Sequence, residues 1–329
     1  MSNLHLTIAV GDYDHTRDLM SGRVRAEGID ITPIHVPVEE IFFRFTKFQE
    51  WDVSELSFAK TISILSQPDP WLVPIPVFPS RAFRHSSIYV RADRKIEKVT
   101  DLAGKKVGLP EWAQTAAIYS RGLLAHDFGV DLSSIDWYQA GVNDAGRKEK
   151  VALKLPHNIR LTPRPDASLS SMLLDGSLDA VLSARPPNAF LQHPDVVKRL
   201  IPDYRSAEAD YWSRTGIFPI MHVMAIKRMV FEQNPWIATN LLEGFEAAKE
   251  RSVERAKDIT ASSFPLPWIS DYAAQSEQIM GPDIWPYGID HNHKTLSAFA
   301  QYAFEQGVTH RKMEVEELFP PQVQAKVKV

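Results

Sequence analysis

Histidine, carboxylate and arginine side chains recur just after the stretches that read as strands. After the first come Gly11, Asp12, Tyr13, Asp14 and His15; after the third come Glu55, Leu56 and Ser57. A proline-rich stretch runs into Ser80, Arg81, Arg84 and His85. Two later strands are followed by Glu111, Trp112, Gln114 and Thr115, and by Ser183 and Arg185, while a further strand carries His222. In open α/β sheets, ligands bind beyond the carboxyl ends of strands. An imidazole gives or takes a proton near neutral pH. A guanidinium grips a carboxylate with two parallel N–H bonds. Backbone N–H groups at a helix starting near Gln114 add to an anion site. The chemistry these types offer is proton transfer on a bound anion.

Each residue also has a structural alternative. An arginine at a strand end often makes only a surface ion pair. Asp14 and His15 also suit the start of the helix that follows. Trp112 reads as a stacking wall or as core. His222, inside the apolar string IMHVMAI, reads as a proton donor or as a hydrogen-bonded core histidine. His291 and His293, beside Asp290, need a further converging ligand to hold a metal, and no metal is expected. There is no nucleophile elbow, Walker loop or Rossmann glycine fingerprint, and DLAGKKVG lacks the phosphate-loop spacing. The chain has no cysteine, which excludes disulfides, thiolate metal sites and a cysteine nucleophile.

The elements that position these residues alternate. Residues 4–10, 29–36 and 51–57 read as strands, and 38–48 and 58–66 as helices. This spacing implies βαβ units and a parallel sheet. The prolines of residues 68–79 exclude a helix and disfavour a central strand. A second α/β series begins near residue 100, with strands at 106–109, 135–141, 158–165 and 178–184. Its helices begin near Trp112 and at Ser168, an N-cap type, and close at Gly129 and Gly176. Residues 216–228 form a returning strand, and the remainder is mostly helical. We therefore expect an α/β protein of two lobes, 1–90 plus 216–329 and an inserted 91–215. Two crossings, near residues 89–93 and 204–218, would form a hinge with a ligand cleft between the lobes.

The 329 residues, 44% apolar and 24% charged, suffice for one large core or two medium ones. A formal net charge of -4 gives no electrostatic case for nucleic acid. The N-terminal stretch lacks the pattern of a secretory signal, and no run approaches a membrane span, so a cytoplasmic location without membrane contact is expected. A homo-oligomer stays open.

Taken together, several strings resemble a known family. They include GDYDHTRDLMSGRV, WDVSELS, FPSRAFRHSSIYVR, DLAGKKVGLPEW, LLDGSLDAVLSARPP, TGIFPIMHV and YGIDHNHKTLSAFAQYAFEQG, spread over nearly the whole chain. In these the chain resembles the 4,5-dihydroxyphthalate decarboxylases, enzymes on the type 2 periplasmic-binding-protein fold. The resemblance implies a carboxy-lyase that needs no cofactor. It would convert 4,5-dihydroxyphthalate, an aromatic dicarboxylate, to 3,4-dihydroxybenzoate (protocatechuate) and CO2 in phthalate degradation. Chemistry then distributes roles over the candidates. Arg81 and Arg185 suit a clamp on the spectator carboxylate, with Arg84, Ser57, Trp112, Gln114, Thr115 and Tyr13 as further binding positions. His85 or His222 suits the proton donor, and Asp14 or Glu55 suits an acceptor near the para hydroxyl. Two alternatives remain: a solute-binding protein for an aromatic carboxylate, and a decarboxylase of another hydroxylated aromatic acid.

Overall fold

The computed structural model describes residues 3–324. The chain divides into two compact units. One comprises the residues up to Arg81, Trp212–Ser297 and those from Glu314 onward; the other comprises Ala82–Tyr211 and Ala298–Met313. Residues 82–90 and 298–313, given to the first lobe by the sequence reading, thus cluster with the second, and 212–215 cluster with the first.

The chain begins with β1 (Leu4–Ala9), α1 (Asp14–Met20), β2 (Ile29–Ile34), α2 (Val38–Phe48), β3 (Val53–Ser57), α3 (Phe58–Leu65) and β4 (Leu72–Arg81). Next are β5 (Ile88–Arg91), β6 (Lys106–Leu109), α4 (Thr115–Gly122), β7 (Asp136–Gly141), β8 (Arg160–Ser168) and α5 (Leu169–Leu174). They are followed by β9 (Ala180–Leu182), α6 (Asn188–Gln192), β10 (Val197–Arg199) and α7 (Tyr204–Thr215). The return is β11 (Ile220–Lys227), α8 (Arg228–Gln233), α9 (Ile237–Lys257), α10 (Ile269–Met280) and α11 (His293–Glu305). Among the described residues no helix is long and apolar enough to cross a membrane.

The first unit holds a sheet of order β2-β1-β3-β11-β4. Strand β1 is parallel to β2 and β3, and β11 is antiparallel to both of its neighbours. The proline-rich stretch is the edge strand β4. Proline has no N–H to offer a second neighbour, so β4 pairs with β11 alone. Because β11 runs backwards, its first residues reach the sheet end where β1, β3 and β4 finish. There His222 pairs with Ser57 of β3 on one side and Ser80 of β4 on the other.

Helix α1 is tied to α9 by charge. Buried Asp18 accepts from Arg251 Nε at 2.6 Å and from Arg255 Nη1 at 2.8 Å. Asp14 accepts from Ser252 Oγ and Arg255 Nη2, each at 2.7 Å. Burial alone would raise both carboxyls, but the guanidinium bonds outweigh it and hold each below the ordinary aspartate value. Asp18→Asn is therefore expected to cost about 1–3 kcal/mol in denaturant unfolding at neutral pH, since Arg251 is half-exposed and recovers water while Arg255 keeps Asp14. That contribution is fully present above 3.8, the ordinary aspartate value, and fades as pH falls through the lower folded values. Native and variant stabilities should converge in acid.

The second unit holds a sheet of order β10-β5-β9-β6-β7-β8. Its core gathers Tyr89, Leu169, Met172, Leu173, Leu178 and Val181. Ser168 caps α5 by accepting from Ser171 N, and Gly176 takes φ +81° just past the helix. Residues 298–313 complete this unit through close contacts. A Cβ on Gly122 would come within 2.3 Å of the Tyr302 ring, so only glycine lets that ring approach. Trp112 Nε1 donates to Gln306 O at 2.7 Å, and Arg121 Nε to Gln306 Oε1 at 2.9 Å.

Candidate active site

At the strand ends of the first unit, one carboxylate collects three donors. Glu55, on the central strand β3, has no exposed surface. Its Oε2 accepts the Gly11 N–H at 2.7 Å, and its Oε1 accepts the Tyr13 hydroxyl at 2.7 Å. His222 Nδ1 lies 2.6 Å from the same Oε1. A buried carboxylate is tolerable only with such partners. Since Gly11 and Tyr13 are donors, Glu55 is assigned as the acceptor throughout and Nδ1 of His222 as the protonated nitrogen. The unbonded ring nitrogen of His222 is then Nε2. The side chain is 21% exposed, and Phe42 of α2 stands edge-on to its ring at 4.8 Å between centroids.

Backbone close approach sets this cluster. Gly11 follows β1, and a Cβ there would lie 2.6 Å from the Tyr13 ring and 2.9 Å from Val38 Cγ2. Tyr13 precedes α1, which brings its hydroxyl over Glu55. Burial, and then the Glu55 charge, push the Tyr13 phenol far up, so it remains a donor. His15, the second residue of α1, places Nε2 2.9 Å from Pro79 O. Its ring stacks on Tyr13 at 5.3 Å and tilts against Trp285 at 5.3 Å. Burial holds His15 below the ordinary histidine value, against the opposing pull of the Pro79 carbonyl and the Glu55 charge.

The sequence-derived candidates separate accordingly. Glu55, Tyr13 and His222 come together, with Ser57 beside His222 in register. Glu55 does not face a ligand as an acceptor; its oxygens hold internal donors. Asp14 is taken up by Arg17, Arg255 and Ser252, which makes it a structural residue of the α1–α9 contact. Arg81 is buried, giving Nη1 to Phe218 O at 3.0 Å and Nη2 to Pro286 O at 2.6 Å and to Asn292. Its guanidinium lies over the Phe78 and Phe218 rings. It ties backbone segments together rather than offering an open clamp.

The other candidates belong to the second unit. Trp112 is fully buried against Trp137 and Arg121, so of its two readings core is the one observed. Gln114 precedes α4, and its buried Oε1 has no partner among the described residues. Thr115 opens α4 and is buried. Arg185 is exposed, and its carbonyl accepts from Ser183 Oγ at 2.7 Å. His85 is buried and stands edge-on to Tyr211 at 5.2 Å. Arg84 is drawn down to about 10 by burial, opposed by the charge of Glu208. Glu208 itself is pushed up to about 7 by burial, although the His85 and Ser86 N–H groups and Arg84 favour its charged form. Sequence reasoning passed over Glu208 because α7 shows no apolar periodicity to announce a helix. It also passed over Trp285, whose proline-flanked segment carries no strand or helix signal. Among the described residues no group of three or more His, Cys, Asp or Glu side chains gathers to hold a metal ion, the His291–His293 pair included.

Comparison with known proteins bears on these features. No family model matches the chain. The chain is 38% identical over 323 residues to a 4,5-dihydroxyphthalate decarboxylase of Comamonas testosteroni, covering 98% of each. It is 40% identical over 214 residues to a 4,5-dihydroxyphthalate decarboxylase of Pseudomonas putida, covering 64% of this chain and 83% of the relative. In fold it is similar to the periplasmic aliphatic sulphonate binding protein of Escherichia coli. The TM-score is 0.54 at 17% identity, covering 100% of this chain and 96% of that one. The two α/β units thus have the fold of the type 2 periplasmic binding proteins. With nearly full-length identity of this order to a curated decarboxylase, the chain belongs to the 4,5-dihydroxyphthalate decarboxylase family.

Proposed function

We propose that this chain removes one carboxylate of 4,5-dihydroxyphthalate as CO2, leaving 3,4-dihydroxybenzoate, with His222 as the proton donor and no cofactor. The observation that carries this is the Glu55–His222 pair at the strand ends of the first unit, in a chain of this family. Direct loss of CO2 would leave an aryl carbanion, a poor intermediate. Each carboxylate of this substrate lies para to a hydroxyl, which opens an easier course. Protonation of the carboxylate-bearing carbon, with electrons supplied by that hydroxyl, gives a dienone-like ring. Departure of CO2 then returns the bonding pair and restores aromaticity. His222 suits the first step because Glu55 holds Nδ1–H and leaves Nε2 to deliver the proton. Glu55 is a positioning residue: it fixes the tautomer and matches the charge of the imidazolium. Tyr13 and the Gly11 N–H fix Glu55 in turn.

The test is turnover by chelator-treated protein given 4,5-dihydroxyphthalate, followed by CO2 release and 3,4-dihydroxybenzoate formation. Catalytic turnover is expected. Tight binding without product would instead favour the solute-binding reading, and turnover only after divalent metal is restored would remove the cofactor-free part. The same reading places the protein in the cytoplasm with an aromatic dicarboxylate as its small-molecule partner. Fractionation of cells that produce the chain checks the location.

Gly11→Ala provides an indirect check. The added Cβ forces the Tyr13 ring away and disturbs the N–H that holds Glu55. Because misplacement of about 1 Å costs on the order of 100-fold in rate, kcat should fall by about 10- to 100-fold while far-ultraviolet circular dichroism is unchanged.

A further inference from the structure

We propose that His15 takes the proton of the substrate hydroxyl para to the departing carboxylate, an assignment that rests on the decarboxylase reading above. The reaction needs such a base, and Asp14 and Glu55 are both committed elsewhere. The geometry supports His15 on three counts. Its Nε2 faces the Pro79 carbonyl at 2.9 Å, and a carbonyl oxygen only accepts, so Nε2 carries the hydrogen. The neutral ring then presents a lone pair at Nδ1. Among the described residues nothing bonds Nδ1, and the side chain as a whole is only partly buried. Stacking on Tyr13 and the tilted contact with Trp285 fix the ring plane. The hydroxyl of Tyr13 meets the Glu55 oxygen that also receives His222. One tyrosine and one glutamate thus link the two imidazoles.

Their environments differ in the sense that acid and base require. The Glu55 carboxylate stands behind His222 and a neutral carbonyl behind His15, and burial keeps the His15 ring below the ordinary histidine value against the Glu55 and Asp14 charges. In the reaction, the hydroxyl proton passes to His15 Nδ1 and the oxygen forms a C=O bond. The displaced ring electrons take a proton from His222 Nε2 at the carboxylate-bearing carbon. When the C–C bond breaks, CO2 leaves and its bonding pair re-forms the aromatic ring. The oxygen recovers its proton from His15, and His222 is reprotonated by solvent. The net change is exchange of one carboxylate for one proton.

The test uses His15→Gln with two substrates. The glutamine amide keeps a donor for Pro79 O and has nothing at the place of Nδ1. With 4,5-dihydroxyphthalate, kcat should fall about 100-fold, as expected for loss of a general base, with KM little changed. A ring-fluorinated analogue, whose more acidic hydroxyl is ionised near neutral pH, should lose no more than about fivefold, because it brings no proton to remove. His15→Phe, which keeps the ring stack, should show the same substrate dependence and serves if the glutamine variant is poorly folded. Equal losses on both substrates, or an unchanged kcat, would overturn the assignment while leaving the decarboxylase reading intact. Absence of turnover by the native chain would overturn both.

Discussion

His222→Asn is expected to lower kcat for 4,5-dihydroxyphthalate by about 100- to 10,000-fold, the range for removal of a general acid. The asparagine Nδ2 can still reach Glu55 Oε1, so Glu55 keeps three donors and the fold should hold. No group remains, however, at the position of Nε2. Substrate affinity should change little, which separates loss of the proton donor from loss of the site. Thermal unfolding within a few degrees of native, together with the rate loss, completes the expected result. A variant that keeps more than about a third of native kcat would remove His222 from the mechanism, since no acid catalyst is that dispensable.

Glu55→Gln should be nearly as damaging, although Glu55 touches no reacting atom. Three donors converge on it, and the Gly11 N–H cannot turn away. The amide oxygen must therefore face Gly11, which points the amide NH2 at Tyr13 and His222. Nδ1 of His222 then has to accept, and the ring proton moves to Nε2 of a neutral imidazole. Giving up that proton would leave an imidazolate, a far poorer outcome than neutral imidazole. We expect kcat to fall about 100- to 10,000-fold, by analogy with the loss when a carboxylate behind a catalytic histidine becomes an amide. The double variant with His222→Asn should be no slower than the worse single variant, because both changes abolish one proton transfer. Rate losses that multiply in the double variant would show that Glu55 acts independently.

Much of the fold was legible in local pattern. Apolar runs at residues 4–10 and 29–36 and the helical spacing of 38–48 correspond to β1, β2 and α2. The prolines of 68–79 excluded a helix and disfavoured a central strand, and β4 is an edge strand. Helix α7, by contrast, has the polar sequence YRSAEADYWSRT, with no stripe for a pattern argument to find. The short β10 and α6 carry three and five residues, too few to establish a period.

The site divides on different grounds. The sequence by itself determined that histidines, carboxylates and arginines follow the strands, and its strings marked the family. Strand order fixes which residues reach one end of a sheet, so Glu55, Tyr13 and His222 were all among the candidates. What each does there was decided by partners far away in sequence. His222 meets Glu55 across 167 positions. Arg81 is consumed by Phe218, Pro286 and Asn292, and Asp14 by Ser252 and Arg255. A side chain's chemistry depends on what satisfies its polar atoms and how far water is excluded. Both depend on packing between distant segments, so residue type and spacing nominate a group while the tertiary structure assigns its role.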